Sequence, residues 1–196
     1  MAAGTAPAQT KPFSHQFHLK MGLQCGGCHP SAAASSKAAD NNLPAQEACR
    51  TCHKQDMPVK QPAKLTVSRF SHEFHLKFGD VSPLIAAAVR AKTYLGPVAG
   101  EGPVAAANAC LGCHRGIATS DQVGPEVFPH MADCLVCHNK IDNPFSCELC
   151  HEPGKHLKPA DHTRTYVDTH STGKMKLDKA SCVICHGKKF TCLGCH

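Results

Sequence analysis

The chain has 196 residues, a formal net charge of +6 and 42% hydrophobic residues, yet no Trp, two Tyr and eight Phe. Much of the apolar fraction is Ala and Cys, which leaves too little Leu, Ile and Val for a conventional core, and no run of alternating β-branched residues exists to build a large sheet. Fourteen cysteines and fifteen histidines are the numbers that need a cause.

Residues 1–10, MAAGTAPAQT, are small and polar and predict a disordered tail. Next comes FSHQFHLK (13–20), with His15 and His18 three apart beside Phe, followed by Cys25-Gly-Gly-Cys28-His29 and Cys49-Arg-Thr-Cys52-His53. FSHEFHLK (70–77), carrying His72 and His75, repeats the first segment 57 residues on. Cys110/Cys113-His114 and Cys134/Cys137-His138 repeat the two C-x-x-C-H units 85 residues on, so the second copy holds 28 extra residues, largely 79–108. The first half of that insertion predicts a helix from about Pro83 to Leu95, with Gly96-Pro97 as its stop. The last third holds Cys147/Cys150-His151, Cys182/Cys185-His186 and Cys192/Cys195-His196, with a helix expected over Asp161–His170 and a turn from Ser171 onward. These divisions give a tail (1–10), a two-unit module (11–68), its repeat (69–140) and a three-unit module (141–196), packed as one continuous body.

No cysteine lies outside a C-x-x-C pair, and each of the seven pairs is followed at once by a histidine. With histidine at 15 of 196 positions, seven such coincidences have a chance on the order of one in a hundred million, which points to c-type haem attachment. Two thiols add across the haem vinyl groups, and the adjacent His29, His53, His114, His138, His151, His186 or His196 lies under the iron as proximal ligand. Zinc knuckles give no reason for a histidine after every pair, and disulfides across C-x-x-C are strained and labile. Seven haems c in so short a chain fill most of the core themselves. The expected fold is mostly irregular with short α-helices and little or no β-sheet.

Eight histidines remain: His15, His18, His72, His75, His130, His156, His162 and His170. Seven irons need seven distal ligands, so six-coordinate iron throughout uses all but one. The expected distal set is His15, His18, His72, His75, His130, His162 and His170, with His156 as the spare. His130 precedes Cys134 by four residues and is expected to serve a neighbouring haem. Met1, Met21, Met57, Met131 and Met175 are expected to pack against haem edges. Only ten residues separate Cys182 from Cys192 and thirteen separate Cys134 from Cys147, so each of those haem pairs should lie close together.

These motifs resemble the multihaem cytochromes c, and most closely the low-potential, bis-histidine class III group. There an F-x-H-x-x-H segment supplies distal ligands to two different haems, as FSHQFHLK and FSHEFHLK are placed to do. The resemblance implies an electron carrier rather than an enzyme: electrons tunnel between macrocycles and no substrate coordinates. A multihaem oxyanion reductase needs an open iron position, which the surplus of histidines argues against. A haem-lined extracellular filament of repeating subunits is the structural alternative.

Counting propionates, the oxidised holoprotein sits near about −1 and the reduced one near about −8, so the basic side-chain balance gives no ground for nucleic-acid binding. Lys174, Lys176, Lys179, Lys188 and Lys189 are expected to pair with propionates or steer an acidic redox partner, such as another cytochrome, a membrane quinol-oxidising complex or an outer-membrane conduit. Covalent haem attachment implies a protein expected in the periplasm or outside the cell, its leader expected to have been removed from this numbering; no apolar stretch is long enough for a membrane span. The chain's last haem, on His196, is expected to present an exposed edge.

Overall fold

A computed structural model of the chain describes residues 13–59, 67–96, 108–121, 123–124, 127–138, 147–155, 157, 162–169 and 179–186. Its helices are α1 (His15–Lys20), α2 (Cys25–Cys28), α3 (Gln46–Arg50), α4 (His72–Leu76), α5 (Ser82–Arg90), α6 (Ala109–Cys113), α7 (Met131–Cys134), α8 (Tyr166–Thr169) and α9 (Lys179–His186). Tight 3-10 turns occupy Pro30–Ala34, Arg115–Thr119 and Cys147–Leu149. Among the described residues the only β-pairing is an isolated antiparallel bridge between Val67 and His151. The fold is therefore mostly irregular with short helices, as composition predicts. Helices this short have marginal stability alone in water and persist only where caps and neighbours hold them.

The two repeats hold each other. Helix α1 of the first packs on the Arg115–Thr119 turn of the second, and α4 of the second packs on the Pro30–Ala34 turn of the first. The Gln16 N–H donates to the Ser120 carbonyl at 3.3 Å, and the Glu73 N–H donates to the Ser35 carbonyl at 3.0 Å. Gln16 and Glu73 are equivalent by the 57-residue offset, and Ser35 and Ser120 by the 85-residue offset. One contact therefore occurs twice with the partners exchanged, which is the signature of an internal pseudo-twofold. The segment leading into α4 also ties down the fifth C-x-x-C-H unit, because the Ser68 N–H donates to the Cys150 carbonyl at 2.9 Å.

The insertion supplies most of the conventional core. Ile85, Tyr94 and Ala132 are buried, and Val81, Ala88, Val89, Leu95, Val136 and Ile184 pack around them, joining α5, α7 and α9. The expected helix ends earlier than Leu95. Lys92 adopts a left-handed φ of 56°, and the Thr93 and Tyr94 N–H groups both return to the Ala88 carbonyl at 2.9 and 3.1 Å. That closure stops α5 at Arg90 and turns Tyr94 inward, to 7% exposure. The helix expected over Asp161–His170 is observed only as Tyr166–Thr169. Before it, the Thr163 and Thr165 hydroxyls bond each other at 3.2 Å. The 1–10 tail and the turn from Ser171 lie outside the described residues.

Gly96 sits where a side chain has no room: a Cβ there meets the Ala132 Cβ at 2.8 Å and the Tyr94 ring at 2.9 Å. Both neighbours are buried and cannot yield cheaply. Gly96→Ala should destabilise the folded protein by about 1–3 kcal/mol, the usual range for overpacking. Chemical denaturation of the two proteins side by side measures this, and an unchanged midpoint would contradict the packing described.

Candidate haem-binding site

Each described C-x-x-C-H unit up to His151 closes into one helical turn. The histidine N–H donates to the carbonyl of the first cysteine at 2.8 Å (His29 to Cys25), 2.9 Å (His53 to Cys49, His114 to Cys110 and His138 to Cys134) and 3.0 Å (His151 to Cys147). The spacing i, i+3, i+4 then sets two thiols and an imidazole on one face. That is the arrangement needed to bind a macrocycle by two edges and reach its metal from below. The sixth unit, Cys182 to His186, forms the last turns of α9.

The two FSHxFHLK segments are built alike. Ser14 caps α1 by accepting from the Phe17 N–H, and Ser71 caps α4 by accepting from the Phe74 N–H, both at 3.1 Å. Phe13 and Phe70 wedge between the histidines that follow them. Phe13 meets His15 edge-on at 4.8 Å and His18 face-on at 4.7 Å, while Phe70 meets His72 edge-on at 4.8 Å and His75 face-on at 4.5 Å. The rings are oriented from behind as well. Nδ1 of His18 lies 2.7 Å from the Ser14 carbonyl, and Nδ1 of His75 lies 2.7 Å from the Ser71 carbonyl. Nδ1 of His29 lies 2.6 Å from the Asn42 carbonyl, and Nδ1 of His114 lies 2.9 Å from the Val127 carbonyl. A carbonyl can only accept, so Nδ1 carries the proton in all four and Nε2 presents a bare lone pair, the tautomer that ligates metals.

Those lone pairs belong to rings that face one another. The ring centroids of His15 and His29 are 6.3 Å apart, as are those of His18 and His53. The pairs His72–His114, His75–His138 and His162–His186 are each 6.4 Å apart. Two imidazoles bound on opposite sides of one metal, at about 2 Å per bond and with each centroid about 1.1 Å behind its nitrogen, lie about 6.3 Å apart. Five pairs at that single separation, each joining a C-x-x-C-H histidine to one from outside the motifs, fit an iron held between them. Interplanar angles fall into two groups: 21°, 9° and 11° for the pairs of His15, His72 and His162, against 44° and 47° for those of His18 and His75.

The electrostatics favour the neutral ring. Burial holds His15 below the usual imidazole range, with the neighbouring His29, His18 and His114 adding to the effect. Burial likewise lowers His72, with help from His114 and His75, and lowers His114 against the opposing bond to the Val127 carbonyl. All three rings are neutral near pH 7, as a metal requires.

Neighbouring units influence one another through their thiols. Cys110 is raised by burial and then by Cys25, its counterpart in the other repeat. Cys113 is raised by burial, by Asp133 and, more weakly, by Cys137. Cys134, though solvent-accessible at one edge, is pushed up to about 11 by desolvation, then by Asp133, Cys113 and Cys150. Cys185 is raised by burial and then by Cys147. Among the described residues no disulfide joins two cysteines, and no cluster of three or more His, Cys, Asp or Glu converges as a zinc site would need.

The donor set also fits a large apolar ligand. Only Ile85, Tyr94, Val127, Ala132 and Leu135 are buried hydrophobics among the described residues. Phe17, Phe74 and Phe78 stand more than half exposed beside the histidine rings, where macrocycle faces would cover them.

The remaining expected ligands divide. His130 is exposed at the start of α7, and no described imidazole faces it; its backbone N–H is bound to Asp133 instead, at 2.9 Å. His162 faces His186 and is stacked by Tyr166 at 4.3 Å. His156, His170, Cys192, Cys195 and His196 lie outside the described residues, as do Met1 and Met175 and the side chains of the lysine cluster.

Residues 11–66 match the family model described as cytochrome c7 and related cytochrome c. Comparisons with curated proteins and with solved structures find no match. The matched segment takes in FSHQFHLK and the first two C-x-x-C-H units, and it supports a multihaem electron-transfer cytochrome with covalently bound haem c.

The serine caps are separable from the ligands they position. Ser71→Ala should cost about 1 kcal/mol of stability, whereas Ser71→Gly should cost only a few tenths, because Gly leaves the helix end open to water. Equal losses in denaturant titrations of the haem-loaded protein would mean that Ser71 does not act as a cap.

Proposed function

We propose that this chain is a soluble electron carrier outside the cytoplasmic membrane, holding seven covalently attached, bis-histidine haems c in one continuous row. The carrying observation is the set of five facing imidazole pairs at 6.3–6.4 Å. Bound haem supplies the redox chemistry, its iron cycling between ferric and ferrous. The chain's own residues supply everything else. His15, His18, His72, His75 and His162 would hold iron together with His29, His53, His114, His138 and His186, which would leave no site for a substrate there and would favour low potentials. His130 and His170 remain the proposed partners for the other two irons, at His151 and His196.

A path through the attachment sites follows from their neighbours. Helix α1 serves the sites at Cys49/Cys52 and Cys25/Cys28 together, through His18 and His15. Cys25 adjoins Cys110 across the pseudo-twofold, and α4 serves the sites at Cys110/Cys113 and Cys134/Cys137. Cys134 lies within electrostatic reach of Cys150, and Cys147 within reach of Cys185. The row therefore runs through the second, first, third, fourth, fifth and sixth units, and the seventh follows the sixth by covalent proximity. The physiological donor and acceptor are other redox proteins, met at exposed haem edges at the two ends of this row.

Maturation in a host that attaches haem c tests the reading directly. Intact mass should increase by seven haems, and electron paramagnetic resonance of the oxidised protein should show low-spin ferric iron throughout. A substantial high-spin signal in the unmodified protein would sink the carrier reading in favour of an enzyme with an open iron. His72→Ala should convert one haem in seven to high spin, and His72→Met should raise one midpoint potential.

A further inference from the structure

The ligand geometry of the two repeats is nearly the same, but the charge beside it is not. In the second repeat the Tyr94 hydroxyl donates to Asp133 Oδ1 at 2.8 Å, and Arg115 Nη2 donates to the Tyr94 oxygen at 3.0 Å and to Asp133 Oδ1 at 2.5 Å. Asp133 Oδ2 accepts from the His130 N–H at 2.9 Å. The Asp133 side chain is 3% exposed and that of Arg115 27%. Arg115 directly follows His114, and Asp133 directly precedes Cys134, so this ion pair sits between the third and fourth attachment sites. Subtracting the 85-residue offset places Pro30 where the second repeat has Arg115, and Ala48 where it has Asp133. Tyr94 belongs to the insertion and has no counterpart.

A buried charge close to a redox centre is poorly screened and shifts its potential. A carboxylate stabilises the ferric form and a guanidinium the ferrous form. Phenol and guanidinium together hold Asp133 in place, and burial keeps the Tyr94 phenol protonated as a donor. The pair borders both neighbouring sites, and Asp133, at 3% side-chain exposure against 27% for Arg115, is the less screened of the two charges.

We propose that Tyr94, Arg115 and Asp133 form a potential-setting cluster that makes the haem sites of the second repeat electrochemically unequal to those of the first, with Asp133 lowering potentials that Arg115 partly restores. This rests on the haem-carrier reading. None of the three is a ligand; they act through the space beside His114 and Cys134. The effect gives direction to a row whose ligands alone are close to symmetric: electrons settle on the first repeat's pair in preference to the second's.

The test uses the full haem-loaded chain, with individual midpoint potentials resolved by nuclear magnetic resonance of haem methyls during stepwise reduction. Asp133→Asn keeps shape and removes charge, leaving Arg115 uncompensated, and should shift two of the potentials upward while the others hold. The double variant Asp133→Asn/Arg115→Gln removes both charges and should bring those two potentials back toward the unmodified values. Asp133→Glu keeps the charge and should restore them directly. A merely structural role predicts that the double variant is at least as disturbed as the single one. That outcome, or no upward shift in Asp133→Asn, overturns the proposal. Should Asp133→Asn not fold, Arg115→Gln still reads the sign, since Asp133 retains its bonds from Tyr94 and the His130 N–H: a fall in the same two potentials upholds the proposal and a rise overturns it. Absence of covalent haem from the unmodified protein would instead defeat the carrier reading itself.

Discussion

An iron held by two imidazoles imposes one separation on the rings, one tautomer on each, and enough rigidity behind both to keep them facing. The chain meets these demands largely with backbone. Ser14, Ser71, Asn42 and Val127 each lend a carbonyl to the far nitrogen of a histidine, so ring orientation is fixed by segments whose own course is set by caps and short turns. Helices of four to six residues suffice for this. One turn is enough to set His15 and His18, or His72 and His75, at fixed i, i+3 spacing.

From that constraint the rest of the architecture follows. A segment that aims two imidazoles at two different attachment units must lie between them, leaving one flank open. The other repeat's 3-10 turn closes that flank, through Gln16 to Ser120 and Glu73 to Ser35. Reciprocal closure brings Cys25 and Cys110 together, so the contact that stabilises the two histidine helices also joins two local pairs into a four-site row. On the proposed reading, stability and conduction arise from the same interface.

Much of the site was legible because its chemistry forces residue types into sequence. C-x-x-C-H must be contiguous to form one turn, and FSHxFHLK carries a cap, a wedge and two ligands at fixed spacing. The interlocking of the repeats was less visible, although two unequal offsets, 57 and 85, already implied that histidine segment and attachment unit belong to separable pieces. The end of α5 was misjudged because Gly96-Pro97 reads as a stop, whereas the chain turns earlier at Lys92 through a left-handed conformation that no glycine announces. Nothing in the local sequence marks Tyr94, Arg115 and Asp133. The signal that could have found them is subtraction: the offset pairs Arg115 with Pro30 and Asp133 with Ala48, two charges gained at positions beside His114 and Cys134.

That cluster also explains why an insertion would be retained in only one repeat. A symmetric row of equivalent sites has no preferred end, and identical ligands on both halves cannot supply one. The insertion contributes Ile85 and Tyr94 to a small core with Ala132, and this core shields the Arg115–Asp133 pair from solvent. Shielding is what allows a single carboxylate to matter: the same pair at the surface would be screened by water and salt to little effect. The conventional hydrophobic core is small among the described residues, and it is placed where a low dielectric is worth most, around a buried ion pair that the first repeat lacks at the equivalent positions.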